Sequence, residues 1–163
     1  MNARLAVLAA GALLLAACAT QPKPLQGTFT AITPRDATAA DNTGAAVRWG
    51  GRIVTVEPQA DRTCFEMIST NLGSSGRPYW GSDDTGGRFL ACRTGFYDPA
   101  VFEKNREVTF IGRVSGYENR RIGQYDYRFP MVDADVVYLW PLREQVDVIA
   151  APYAAPWPWW GWW

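Results

Sequence analysis

Val47-Arg48-Trp49-Gly50-Gly51-Arg52-Ile53-Val54-Thr55-Val56 decides the fold. Val47, Trp49, Gly51, Ile53 and Thr55 alternate with Arg48, Gly50, Arg52, Val54 and Val56, the two-residue period of a strand with one buried face. Two adjacent glycines inside such a strand leave nothing to pack and mark a bend, a bulge or a close backbone crossing, which a sheet needs where it rolls into a small barrel.

On the C-terminal side, a Pro58–Asp61 turn leads to a second strand, Arg62–Thr70, and a long Gly/Ser/Asp loop leads to a third, Gly87–Arg93. Pairing them antiparallel with Cys64 opposite Cys92 sets Phe65 opposite Ala91, Glu66 opposite Leu90 and Ile68 opposite Arg88. In that register Phe65, Met67, Phe89 and Ala91 share the core face. Glu66 and Arg88 become oppositely charged diagonal neighbours on the other face, with Cys64, Ile68, Leu90 and Cys92.

Asp98-Pro99-Ala100-Val101-Phe102 reads as a short helix, with Asp98 as N-cap and Pro99 in the first turn. Glu107–Gly116 alternates again, burying Val108, Phe110, Gly112 and Val114, and a turn near Asn119–Gly123 opens the last strand, Gln124–Trp140. There Val132, Ala134, Val136, Tyr138 and Trp140 share one face, with Asp133, Asp135 and Val137 on the other. The expected fold is all-β: a small five-stranded antiparallel barrel, OB-like or SH3-like, with one short helix between the third and fourth strands. A two-layer open sheet is the alternative.

Towards the N-terminus, Ala19–Ala45 is rich in Pro, Thr, Ala, Asn and Gly and too poor in apolar residues to fold alone. It reads as a tether, with Leu25, Phe29 and Ile32 docking on the barrel as an irregular lead-in. Before it, Arg4, an apolar run from Leu5 to Leu15 and Leu15-Ala16-Ala17-Cys18 form a secretory signal that ends in a lipobox. The run is shorter than the roughly 20 residues of a membrane span. The mature chain would then start at Cys18 with a thioether-linked diacylglyceryl group and an N-terminal acyl chain, a durable anchor in the lipid bilayer. Ala19 after the cysteine, rather than Asp, favours the outer membrane. The organisation is 1–17 signal peptide, 18–45 lipidated tether, 46–143 barrel and 144–163 tail.

Composition narrows the chemistry. Sixteen basic and 16 acidic residues with no basic block disfavour nucleic acid as a partner. The absence of histidine removes imidazole bases, His triads and His metal ligands. Of three cysteines Cys18 is taken by lipid, which leaves Cys64 and Cys92 as an even pair in an oxidising compartment and predicts a disulfide; a metal site would want a further soft ligand. No cofactor is expected.

Several stretches carry a resemblance: Val47-Arg48-Trp49-Gly50-Gly51 with the Ile-Val strand after it, Ser75-Gly76-Arg77-Pro78, Gly87-Arg88-Phe89-Leu90-Ala91, Gly95-Phe96-Tyr97-Asp98-Pro99, Val108-Thr109-Phe110-Ile111-Gly112 and Tyr138-Leu139-Trp140-Pro141. In this order they resemble the Slp family, starvation-inducible outer-membrane lipoproteins of Gram-negative bacteria. The resemblance implies an acylated, non-enzymatic protein on the periplasmic face of the outer membrane, linked to starvation, stationary phase or acid stress. It transfers one functional residue, Cys18, and no catalytic ones. The Cys64–Cys92 pair rests on the strand register, not on the family.

Asp133 and Asp135 on one strand face suggest acid/base work but read better as a solvated outer face. Asp83-Asp84 lacks the ligand spacing of a calcium loop. Trp49, Tyr79, Trp80, Tyr125, Tyr127 and Trp140 would make a platform for sugar or peptide only if they shared a face; core and loop packing is the plainer reading. Five of the eight tryptophans, Trp157, Trp159, Trp160, Trp162 and Trp163, crowd the last seven residues among prolines that preclude regular structure. Such rings favour a membrane interface or a partner's groove, with packing of the tail against its own barrel as the structural alternative. Two functions follow: a non-catalytic envelope protein that docks on the bilayer, an envelope protein or peptidoglycan, or a periplasmic glycan- or peptide-binding module.

Overall fold

A computed structural model describes residues 21–143. Five strands, β1 (Ala46–Pro58), β2 (Arg62–Thr70), β3 (Arg88–Thr94), β4 (Glu107–Ile122) and β5 (Tyr125–Leu139), close in the order β1-β2-β3-β5-β4, with β4 back against β1. Four of the five contacts are antiparallel, and the expectation of an all-antiparallel barrel is corrected at the fifth. There Leu90–Cys92 of β3 run parallel to Met131–Asp133 of β5, because the chain crosses one barrel end before β5 returns beside β3. This Greek-key closure is OB-like, which decides against both the SH3-like barrel and the open sheet.

Gly50 and Gly51 sit where β1 serves two partners at once, Thr70 and Ser69 of β2 on one edge and Thr109 and Val108 of β4 on the other. A Cβ on Gly51 would lie 1.9 Å from the Ile68 carbonyl oxygen, so this is a close crossing that only glycine fits.

The β2–β3 register is the one the cysteines demanded, from Arg62↔Thr94 to Ile68↔Arg88. Phe65, Met67, Phe89 and Ala91 are fully buried, and Arg88 Nη1 lies 2.5 Å from Glu66 Oε1. Phe65 is the hub of the core, with Tyr97, Phe102 and Phe110 at ring-centroid distances of 5.6, 5.4 and 5.3 Å. Full burial of such a side chain is worth roughly 1.5–3 kcal/mol, so this aromatic cluster dominates the stability of the barrel. The structure joins Cys64 to Cys92 across a sequence separation of 28. Reduction should remove about 3 to 4 kcal/mol at most and lower Tm by roughly 10–20 °C, with the barrel still folded at room temperature. Thermal melts with and without reductant, with thiols counted in the unreduced protein, check this; two free thiols before reduction would contradict it.

Two bulges break the simple alternation read from the sequence. In β1 the register against β2 slips between Ile53 and Thr55, so Val56, not Thr55, packs against the core. In β5 Ile111 faces Val136 while Gly112 faces Ala134, which leaves Asp135 as the extra residue. Beyond it Val137 and Leu139 turn inward in place of Val136 and Tyr138. Gly112 permits this, because a Cβ there would meet the Asp133 carbonyl oxygen at 2.1 Å. β4 also runs on to Ile122, and the hairpin turns at Gly123–Gln124, at the C-terminal end of the expected Asn119–Gly123 stretch.

The helix is not where Asp98 predicted it. Asp98 does cap a single turn, accepting the Ala100 N–H on its carboxylate and the Phe102 N–H on its carbonyl. That turn goes no further, because Tyr97 and Phe102 are drawn onto Phe65 and Asn105 takes a left-handed φ of 70°, sending the chain back to β1 through an Asn105 N–H bond to the Ile53 carbonyl.

The helix, α1, is Pro34–Ala39, inside the stretch read as tether. Thr33 and Asp36 form a reciprocal capping box with Pro34 in the first turn, and the hydrogen bonds from the Thr33 backbone and hydroxyl hold the Asp36 carboxyl below its ordinary range. From Gln21 to Ala45 the chain lies on the barrel. Leu25 and Ala37 are fully buried, the Trp49 indole donates to the Ile32 carbonyl at 2.7 Å, and Arg48 stacks 5.0 Å from the Phe29 ring while donating to the Leu25 carbonyl. The composition that looks too polar to fold alone borrows the barrel's apolar surface instead.

Candidate functional site

Cys18 and Trp157, Trp159, Trp160, Trp162 and Trp163 lie outside the described residues. Asp133 and Asp135 are exposed on the outer face of β5, and Asp83 and Asp84 are exposed in the β2–β3 loop, Asp84 with Arg35 at 3.6 Å. The six aromatics do not share a face. Trp49 is core; Tyr79 and Tyr125 are exposed on a loop and on the hairpin end; Tyr127 accepts the Arg88 N–H; Trp80 lies under the Arg52 guanidinium at 4.3 Å.

The concentrated chemistry among the described residues is at the barrel end where β5 leaves. Trp140 forms the floor there, nearly buried, its indole N–H donating to Thr109 Oγ1 at 2.9 Å while that hydroxyl donates to the Gly76 carbonyl at 2.8 Å. Four arginines from separate segments converge above it: Arg52 from β1, Arg77 from the β2–β3 loop, Arg106 just before β4 and Arg143 just after β5. They line a cavity of about 240 Å³ together with Asn105, Pro141 and Leu142, and among the described residues Glu107 is the one carboxylate in the lining.

Glu107 is buried and holds Arg77 Nε at 2.6 Å and Arg143 Nη2 at 3.3 Å. Arg77 also donates to the Pro141 carbonyl at 2.7 Å, and Arg143 to the Pro78 carbonyl at 3.2 Å, so the start of the C-terminal stretch is pinned to the barrel. Arg106 donates from Nη1 to the Val101 carbonyl at 3.3 Å and from Nη2 to the Trp140 carbonyl at 3.1 Å, and keeps its other N–H groups for a further acceptor. Among the described residues neither Arg52 nor Arg106 has a carboxylate at ion-pair distance.

None of these arginines stands out in the sequence. They are separated by up to 91 positions, 52 to 143, and only barrel closure brings them together. Two stretches quoted above, Ser75-Gly76-Arg77-Pro78 and Tyr138-Leu139-Trp140-Pro141, do meet at this point through Arg77 and Trp140, whose ring centroid lies 5.5 Å from the guanidinium carbon.

Comparison with known proteins settles the family. The family model of the Outer membrane lipoprotein Slp family matches residues 15–163. The chain belongs to the Slp family. The Escherichia coli Outer membrane protein Slp is 30% identical over 158 residues, covering 91% of this chain and 83% of that protein. The E. coli lipoprotein YeaY is 30% identical over 152 residues, covering 90% and 76%, and a Haemophilus influenzae protein is 32% identical over 139 residues, covering 82% and 74%. Among solved structures, a small single-stranded DNA-binding protein from Streptomyces coelicolor aligns with a TM-score of 0.36 and 13% identity, over 59% of this chain and 94% of that one. The Slp match spans the described barrel and reaches beyond it at both ends, over Leu15-Ala16-Ala17-Cys18 and the tryptophan-rich end.

Proposed function

We propose that this Slp-family protein is a non-catalytic outer-membrane lipoprotein, processed before Cys18, acylated there and held on the periplasmic face, with a role in stress or stationary phase. The observation that carries the reading is the lipobox Leu15-Ala16-Ala17-Cys18 behind a short apolar run, inside the span matched to a family of outer-membrane lipoproteins. The non-catalytic part draws support from a barrel filled by its own aromatic side chains and from carboxylate pairs that face solvent. Its partner is the lipid bilayer, with peptidoglycan or another envelope protein as further contacts.

The tail acts as a second attachment. Tryptophans among prolines partition to the membrane interface, and acyl chains that already hold the protein on the bilayer raise the tail's local concentration there, so modest intrinsic affinity suffices. Truncation after Pro156 should leave Tm nearly unchanged and weaken vesicle binding of a non-acylated Cys18→Ala chain, measured by flotation. A large loss of Tm, or vesicle binding that ignores the truncation, would overturn the tail's role; retention of the truncated chain on peptidoglycan would favour a glycan- or peptide-binding barrel instead.

A further inference from the structure

We infer that the arginine-lined cavity above Trp140 is a binding site for a phosphate group, and that its occupant is the headgroup phosphate of an anionic lipid. The inference rests on the membrane-facing reading of the C-terminal stretch given above.

The charge balance is the first argument. Four guanidinium groups converge on one small cavity whose lining, among the described residues, holds a single carboxylate, and that carboxylate is already shared by Arg77 and Arg143. Gathering like charges beside a nearly buried indole is unfavourable unless an anion offsets them, and the groups left over, Arg52 and Arg106, are those with no carboxylate partner among the described residues.

The donor chemistry is the second. Guanidinium groups are planar forks that meet tetrahedral oxyanions with paired hydrogen bonds, and they release less hydration than an ammonium would. They are also preset. Arg77 is fixed by Glu107 and the Pro141 carbonyl, Arg106 by the Val101 and Trp140 carbonyls, and Arg52 by the Trp80 ring, so little side-chain entropy is left to lose on binding.

Size and place identify the occupant. About 240 Å³ is below the roughly 300–1,000 Å³ of sites that enclose a drug-sized ligand, so the cavity admits a small anionic group and not a sugar chain. Its rim is Pro141, Leu142 and Arg143, and Leu142 is 72% exposed. The chain continues from Arg143 through residues 144–156 to the five tryptophans at 157–163. A phosphate attached to acyl chains satisfies both halves of this surface at once, the cationic cavity and the apolar rim; a free phosphate satisfies only the first.

The test uses the mature chain from residue 18 to 163 with Cys18→Ala, so that no acyl chain masks the result. Flotation compares vesicles of phosphatidylcholine alone with vesicles that also contain phosphatidylglycerol. Arg52→Gln with Arg106→Gln, which leaves the Glu107 pairs intact, is expected to weaken binding to the anionic vesicles by about tenfold or more and to leave binding to phosphatidylcholine unchanged. Arg62→Gln with Arg121→Gln removes the same charge from exposed sites elsewhere and is expected to change anionic binding less than threefold.

Equal losses from the two pairs would reduce the effect to general surface charge and overturn the site. Titration with inorganic phosphate that saturates the cavity and leaves vesicle binding untouched would overturn the lipid occupant. Should the cavity double variant lose its fold, Arg143→Gln, whose side chain is 58% exposed, replaces it with the same expected direction. The tail is separable in the same assay: truncation after Pro156 lowers binding to both vesicle types, the cavity variant to the anionic type only.

Discussion

Gly51→Ala is expected to destabilise the barrel by about 3 kcal/mol or more, a larger effect than an added methyl group has at most positions. The added Cβ would lie 1.9 Å from the Ile68 carbonyl oxygen and 2.7 Å from its carbon, and both are backbone atoms of β2, held in the ladder that pairs Gly51 with Ser69. No rotamer relieves such a contact. Either β1 leaves β2 or it leaves β4, since Gly51 also faces Val108. Gly73→Ala is the matching control, because the nearest atom to a Cβ there is the Arg77 carbonyl oxygen at 3.6 Å. Urea unfolding of both variants should place Gly73→Ala within about 0.5 kcal/mol of the parent and Gly51→Ala far below it or unfolded. Equal midpoints for the two would mean that the crossing at Gly51 is not what closes the barrel.

The same glycine pair shows what the sequence made legible. Two glycines inside an apolar strand have few physical explanations, and the paired cysteines supply a register for β2 and β3 that also sorts Phe65, Met67, Phe89 and Ala91 onto one face. Two independent constraints on one pairing leave little freedom, and the β2–β3 register followed. What stayed hidden depends on tertiary context. The bulges at Val54 and Asp135 shift a face without leaving a mark in the sequence, since Thr55 and Val56, like Val136 and Val137, can each face the core on paper.

The helix was misplaced for a related reason. Asp98-Pro99 and Thr33-Pro34-Arg35-Asp36 are both acceptable helix starts, and the second carries the full capping box. The composition around it reads as unfolded chain, whereas the barrel beside Trp49 provides the apolar surface that Leu25, Ile32 and Ala37 need. The arginine cavity could not be read at all. Its members come from four segments with no shared motif, and a lone arginine in a strand or loop looks like solubilising charge until the barrel closes.

Cys18→Ser is expected to have the largest effect on where the protein resides. The serine hydroxyl cannot form the thioether, so diacylglyceryl transfer fails, the signal stays uncleaved and residues 1–17 remain attached. With acyl-chain burial worth ~0.8 kcal/mol per methylene, losing every chain would remove the proposed outer-membrane attachment and leave the uncleaved apolar run of the signal with the weak contacts proposed for the barrel and the tail. Labelled palmitate should enter the parent protein and not the variant, and the variant should be missing from the outer-membrane fraction.

The most direct measurement is the mass of the N-terminal peptide of the parent protein extracted from outer membranes. It should begin at Cys18 and carry a diacylglyceryl thioether and an N-acyl chain. A peptide that runs through Ala16-Ala17-Cys18 with a free thiol would contradict the account.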